Sequence, residues 1–401
     1  MEKWLIITLL FYAVSSGVSV FIPIYILTLH GNAVDVATSI AIFSITNIFF
    51  SLVAGILTEK IFNPKLWIIL SAITTTLVLV FLLFAKSVYE VVFSYALLSL
   101  TLTLPSPSLN LYVINSALRK IGRVFGKYSL IGSIGSVIGL FLGIKYISPF
   151  IYDLLLIITS LIIVLVALKI EKLNNLVKIR KEHKKHFSLL NSLSYLPYIL
   201  TGIDIIKKGE ARLRKINWLM WASALFISGI YLFNAPYIPF LTKNKIGNSE
   251  IFLINLLGSL TSLIVYYFVS KGRFLRAGVT YRNSLIIRAI AYLLVFISAF
   301  LSLDVLYFNE IGYALVGISY ALWNVSISIA IYKAIRNEYT AFILGLWSAI
   351  NAISSAVSSE IAGFLYSAVG FAFIPLIAFA IMLLSYICFQ KGIAIKQKER
   401  A

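Results

Sequence analysis

Charged side chains are scarce in this chain and missing altogether from long stretches of it. Asp, Glu, Lys and Arg supply 12% of its 401 residues, against 60% hydrophobic and 14% aromatic. A soluble fold of this length needs polar side chains to cover its surface, so a globular reading is excluded. Cysteine is nearly absent: Cys388 stands alone, and neither an intrachain disulfide nor a multi-cysteine metal site can form. The three histidines, His30, His183 and His186, all fall in predicted loops, which excludes an imidazole relay or a histidine metal site inside the apolar segments. No HExxH, GxSxG or paired-cysteine motif occurs. The nearest approach to a phosphate loop, Gly122 to Tyr128, is one residue short and has Tyr128 where Ser or Thr must reach magnesium. No cofactor, metal site or catalytic residue is expected, and the chain does not read as an enzyme or an ATP-driven pump.

What is present is a series of apolar blocks of about 20 residues, the helix length that crosses roughly 30 Å of hydrocarbon. Helices satisfy their own backbone groups there, so the fold class is an all-α membrane protein. The blocks predict twelve transmembrane helices, over 4–28, 36–57, 66–85, 91–116, 128–146, 149–168, 216–240, 250–269, 284–303, 306–332, 340–364 and 369–390. The first is too long for a signal segment and lacks a small-residue cleavage site before His30, so it is expected to stay in the mature protein.

The net charge of +19 is a topology signal rather than a nucleic-acid footprint. With both termini inside, all of the 34 Lys and Arg residues except Lys86, Lys145, Lys243 and Lys245 fall on the inner side. That places the chain in the cell membrane with cytoplasmic termini, with some attraction to anionic lipid headgroups and no nucleic-acid partner. The longest non-spanning stretch, 169–215, separates six helices in 1–168 from six in 216–401. Its apolar residues Leu190, Leu193, Leu196, Leu200 and Ile203 recur at helical spacing between lysines, which suits a helix lying in the inner interface.

The halves echo one another. Pro23 and Gly31-Asn32 match Pro239 and Gly247-Asn248 at an offset of 216, and Gly135, Gly139 and Gly143 match Ser355, Ser359 and Gly363 at 220. Two ordered matches point to a duplicated six-helix unit, giving two pseudo-symmetric bundles. Small residues at spacing four let helix backbones approach closely, so Gly126, Gly135, Gly139, Gly143 and Gly363 are read as packing positions.

On these residues the chain resembles the major facilitator superfamily of transporters. Gly55-Ile-Leu-Thr-Glu59-Lys60 looks like that family's signature between helices 2 and 3, with Glu59 and Lys60 replacing its aspartate and arginine and its later glycine and basic positions lost. The run from Gly126 through Gly135, Gly139 and Gly143 is similar to the helix 5 signature of the family's antiporters, with Leu140 and Ile144 at its proline and final glycine positions. Arg119 and Arg123 match the basic inner end of helix 4. The resemblance implies two halves rocking about a midplane site, Gly55, Glu59, Lys60 and Arg123 as gating positions, and helices 1, 4, 7 and 10 lining the cavity.

Polar residues on those four helices fall in stripes: Tyr12, Ser16 and Ser19; Ser99, Thr103, Ser106 and Asn110; Asn217, Trp221, Ser228, Tyr231 and Asn234; Tyr313, Tyr320, Asn324 and Ser328. Tyr12, Ser16, Ser106, Asn110, Trp221, Tyr231, Asn234, Tyr320 and Asn324 are the candidate substrate contacts. Hydroxyls bonding their own backbone, or amides joining helices, would produce the same pattern. None of the four helices carries a charge in its middle, which suits a neutral, amphipathic or hydrophobic solute, sugar-like or drug-like. Glu360, about 9 Å from its helix end by rise, has two readings. One is a proton-coupling carboxyl; the other is a carboxyl satisfied by Ser358, Ser359 or a neighbouring helix. Asp153, Glu310 and Arg288 lie about a turn from helix ends, where snorkelling or interface contact is expected.

The resulting expectation is a monomeric, proton-coupled secondary transporter of a small solute, with export favoured. Import of a sugar or neutral metabolite is the competing reading. A sensor would need an output domain that the 47-residue central loop is too short to form. A membrane-embedded enzyme would need a charged or metal-binding cluster at one membrane face.

Overall fold

The computed structural model describes residues 4–60, 64–104, 121–144, 149–168, 211–273, 276–301, 303–335 and 340–398. Every regular element among them is a helix: α1 Trp4–Thr28, α2 Ala33–Lys60, α3 Pro64–Leu83, α4 Val88–Thr103, α5 Ile121–Ile144 and α6 Pro149–Leu168, then α7 Ala211–Asn234, α8 Asn248–Ser270, α9 Ala277–Leu301, α10 Val305–Ala334, α11 Thr340–Val369 and α12 Ile374–Lys398. Eleven segments are long and apolar enough to cross a membrane; the described part of α4 is shorter. The proposed interfacial helix of the linker lies outside the described residues.

Several boundaries differ from the spans read from hydropathy, four of them for a local reason. α9 begins at Ala277 rather than 284, because Thr280, Tyr281 and Ser284, which look like loop residues, are buried against neighbouring helices. The seventh span breaks at Ala235-Pro236 and continues as a two-turn helix, Tyr237–Lys243, because Pro236 and Pro239 cannot donate to a continuous ladder. α11 runs on to Val369 and stops where Gly370 takes φ +76°, a left-handed residue whose N–H still bonds the Tyr366 carbonyl at 3.0 Å. α12 consequently starts at Ile374, not 369.

The packing is twofold. In the first half α1 lies on α5, α3 on α6 and α2 on α4; in the second α7 lies on α11, α9 on α12 and α8 on α10. Adding six to each helix number turns one set into the other. The two halves meet along α2 with α11 and along α5 with α8, a pair of seams that the same operation exchanges.

Helix ends repeat the symmetry in finer detail. After α1, His30 adopts φ +63°, and after the short helix Lys245 adopts φ +61°. Gly31 N–H bonds Ile26 O at 2.9 Å, and Ile246 N–H bonds Leu241 O at 3.1 Å. Asp35 then accepts the Asn32 N–H at 2.8 Å, and Glu250 accepts the Gly247 N–H at 2.8 Å, closing the first turns of α2 and α8. These pairs are 215 residues apart, one less than the offset of the Gly-Asn pairs, because Gly31 directly follows its left-handed residue whereas Gly247 comes two after.

Glycine sets how closely the helices approach. A Cβ at Gly135 would collide with the Leu9 carbonyl and one at Gly139 with the Ala13 carbonyl, so the two glycines seat α5 directly on the α1 backbone. Backbone cannot yield as a side chain can. Gly139→Leu is therefore expected to lower the melting temperature of the purified protein sharply. Gly278→Ala, where the nearest atom is Gln390 Nε2 at 3.7 Å, should leave it within a degree or two. Equal effects of the two substitutions would contradict the α1–α5 contact.

Candidate functional site

Between the halves stands a ring of tyrosines. Tyr12 of α1 meets Tyr128 of α5 edge-on at 6.2 Å. Across the divide, Tyr12 is within electrostatic reach of Tyr266 on α8 and of Tyr320 and Tyr332 on α10. Tyr231 of α7 stands in the same relation to Tyr95 of α4 and to Tyr320. These seven tyrosines are drawn from both halves. Tyr12 and Tyr320 keep 37% and 40% of their surface exposed although they sit on helices of opposite halves.

The candidate residues separate into groups. Tyr12, Tyr231 and Tyr320 belong to the ring. Asn324 is turned to α8, where its amide donates to the Tyr266 hydroxyl at 2.9 Å, and its carbonyl accepts from Ser328 at 3.1 Å. It orients a ring member rather than standing free. Ser16 is half-buried and bonds the Ala13 and Ser136 carbonyls, each at 3.3 Å, in the α1–α5 contact. Asn234 ends α7 with its side-chain oxygen buried and unbonded. Trp221 is 47% exposed, and no aromatic pair among the described residues includes it. Ser106 and Asn110 lie outside the described residues. On the described part of that stripe, Ser99 and Thr103 are buried.

Four ring members were missed: Tyr95, Tyr128, Tyr266 and Tyr332. Tyr95 had a usable signal, since it lies four residues before Ser99 and extends the α4 stripe by one turn. Tyr128 and Tyr266 lie on α5 and α8, the seam helices, which are not among the four that the resemblance implies as cavity-lining.

At the end of the bundle away from the 169–215 segment, the α2–α11 seam carries Gly363 against Ala37, and the Thr38 hydroxyl donates to Glu360 at 3.3 Å. Nearer the middle, Ser355 donates to Ser44 at 2.7 Å. Of the two readings for Glu360, the structure supplies a neighbouring-helix partner, and that partner belongs to the other half. On the α5–α8 seam, Gly143 lies under the Phe252 ring, which also packs on Tyr152 at 5.0 Å. At the opposite end a Cβ on Gly126 would stand 2.6 Å from the Ser270 nitrogen. Phe125 meets Tyr332 there at 5.7 Å, and the Arg123 guanidinium lies over Gly272 at the end of α8. The α5–α8 seam is therefore closed at both ends. α2 is helical through Lys60, but the side chains at Gly55, Glu59 and Lys60 lie outside what is described.

Two expectations are corrected. Asp153 and Arg288 do not snorkel: each is 1% exposed. Asp153 is drawn in because α6 packs on α1 and α3 at that level, and both its carboxylate oxygens lack a hydrogen-bond partner. Arg288 sits twelve residues into α9, because that helix starts earlier than its hydropathy suggests. Its guanidinium lies between the rings of Phe226 and Tyr292, at 5.6 and 5.4 Å.

The family model described as the Major Facilitator Superfamily matches residues 4–359. Among solved structures, the nucleoside transporter NupG superposes with a TM-score of 0.63 at 14% identity, over 98% of this chain and 99% of that one. A second structure of the same transporter gives 0.66 at 14%, over 97% and 98%. The human organic anion transporter MFSD10 gives 0.64 at 12%, over 97% of this chain and all of that one. No curated protein matches.

The geometry of the α2–α11 seam is directly testable. With Cys388 replaced by serine, the pair Ser44→Cys and Ser355→Cys is expected to cross-link under mild oxidation. A protease site inserted in the 169–215 segment then leaves the two halves joined on a non-reducing gel. Separation of the halves after cleavage would show that the seam does not close as described.

Proposed function

The chain belongs to the major facilitator superfamily and is a multi-pass membrane transporter of small solutes, and on that premise we propose that it moves a small amphipathic or hydrophobic solute by alternating access, driven by protons. The observation that carries the reading is the tyrosine ring, contributed by both halves and placed where they meet. Phenol rings offer flat apolar faces with a hydroxyl at the edge, a lining that holds a solute with a hydrophobic body and a few polar groups. In the described parts of α1, α4, α7 and α10 no charged side chain lies among the ring residues, so the body of the solute meets hydroxyls, amides and aromatic faces.

Alternating access requires the two ends of the seams to open in turn while the ring stays between them. Glu360 supports a coupling role in that cycle. While the far end is closed, its carboxylate accepts from Thr38 of the opposite half. When that end opens Thr38 departs and water reaches Glu360, so the carboxyl exchanges its proton with the outer solution in that state alone. Opening of that end is thereby tied to proton exchange at Glu360. The charge distribution supports cytoplasmic termini, and proton uptake at the far end during solute release is export by exchange.

The test is flux in proteoliposomes with an imposed pH gradient, screened over sugars and over hydrophobic compounds. Uphill movement of a hydrophobic or amphipathic compound that collapses with the gradient is the expected outcome. For Glu360→Gln, gradient-driven accumulation should fall at least tenfold while passive counterflow of the same compound continues. A full gradient response by Glu360→Gln would remove Glu360 from the coupling step. Absence of gradient-dependent flux for every compound would overturn the reading as a whole.

A further inference from the structure

Arg288 carries a charge that nothing in the described structure balances. A guanidinium cannot give up its proton inside a protein, so burial cannot neutralise it as it can a carboxyl or an amine. A buried cation of this kind is stable only with acceptors or a counter-charge around it. The Arg288 Nε donates to the Ser319 hydroxyl of α10 at 2.9 Å, and Ser319 passes its own proton to the Ser284 carbonyl at 2.8 Å. Two ring faces flank the group. Nη2 is buried with no acceptor in hydrogen-bonding geometry, and the Tyr292 hydroxyl is buried with the guanidinium as its polar neighbour. No ion pair to Arg288 exists among the described residues. Among the described residues the one acidic side chain buried as deeply, Asp153, belongs to α6 in the other half.

The free groups around this charge are hydrogen-bond donors. Nη2 can only donate, and the Tyr292 hydroxyl has an unused proton. The Tyr320 ring lies 5.7 Å from Trp323, which stacks on the Phe226 ring that faces the guanidinium. Ser319, which holds Nε, is the residue before Tyr320 on α10. The charge therefore stands directly behind the ring, one residue from its lining.

We propose that Arg288 Nη2 and the Tyr292 hydroxyl form a binding site for a small monoanionic group, a carboxylate or a halide, reached from the tyrosine ring past Tyr320. As the acidic head of the transported molecule, it narrows the amphipathic solute proposed above to one with an anionic end, and in that form it rests on the transport reading. As a free anion it is independent of that reading.

Binding is measured first, on purified full-length protein in detergent, by thermal shift with chloride, acetate and benzoate against sulfate at equal ionic strength. Saturable stabilisation by the monovalent anions, absent in Arg288→Gln and weakened in Arg288→Lys, is the expected result. Wild-type protein that responds to the monovalent anions no more than to sulfate would overturn the site, whether or not the variants fold. Flux in proteoliposomes then separates the two sources. Uptake of labelled benzoate exceeding that of benzamide at least tenfold, and lost in Arg288→Gln, identifies the solute's carboxylate. Equal flux of both compounds together with saturable chloride stabilisation identifies a resident anion. If neither compound moves and the thermal shift persists, the anion site stands as a resident-anion site and the solute's carboxylate is ruled out.

Discussion

Hydrocarbon offers no water to a polar group, and almost every feature of this molecule follows from that constraint. Backbone donors and acceptors must be satisfied within each segment, which makes the spans helical. It also removes the usual force that drives helices together, because lipid is as apolar as a leucine side chain. What remains is close contact and directed hydrogen bonding. Both appear in α5, whose glycines rest on the α1 backbone and on α8. The same scarcity of water explains the serine and threonine hydroxyls in the bundle. Ser39, Thr75, Thr103, Ser284 and Ser326 each bond a carbonyl three or four residues back in their own helix, so they enter the core already satisfied.

Duplication gives the constraint a second consequence. Each half must carry one surface that never separates from its own helices and another that joins the other half. The twofold pattern puts the joining surfaces on α2, α5, α8 and α11. Gly143 under Phe252 and Gly363 against Ala37 are corresponding contacts on the two seams. A small residue on one side and a larger one on the other recur at related positions, so the halves fit each other by the same device twice.

How far the sequence was legible depended on whether the governing signal was local. Hydropathy runs located the spans because crossing a bilayer is a property of each segment alone. Its failures fell where tertiary contact overrides polarity: Thr280 and Ser284 look like loop residues and lie buried in α9, which in turn hid the depth of Arg288. Repeat matching found the duplication but missed its register by one residue at the first helix ends, since the left-handed turn at His30 and Lys245 leaves no fixed residue type behind. A stripe that belongs to one helix was legible, and three members of such stripes, Tyr12, Tyr231 and Tyr320, come near one another. What depends on which helices meet was not legible. The α10 stripe gave no sign of the bond from the Asn324 amide to Tyr266 of α8. Nothing in the order of residues joins Thr38 to Glu360, 322 positions apart.

The division between firm halves and parting seams is visible in the kinds of contact each uses. Inside the second half, Phe226 lies flat on Trp323 at 4.4 Å, Phe233 on Tyr292 at 4.5 Å and Tyr281 on Phe389 at 4.1 Å. Such stacks add about 0.5–1.5 kcal/mol each beyond the area they bury, and they cannot slide without losing it. Across the α2–α11 seam the specific bonds are hydroxyl contacts, Ser44 with Ser355 and Thr38 with Glu360. Side-chain hydrogen bonds between membrane helices average about 0.6 kcal/mol. Two of them amount to less than the roughly 2.3 kcal/mol that one elementary charge gains in crossing 100 mV. Glycine contacts complete the seam without interlocking side chains. A bundle assembled this way interlocks aromatic rings within the second half and joins α2 to α11 through small residues and hydroxyls.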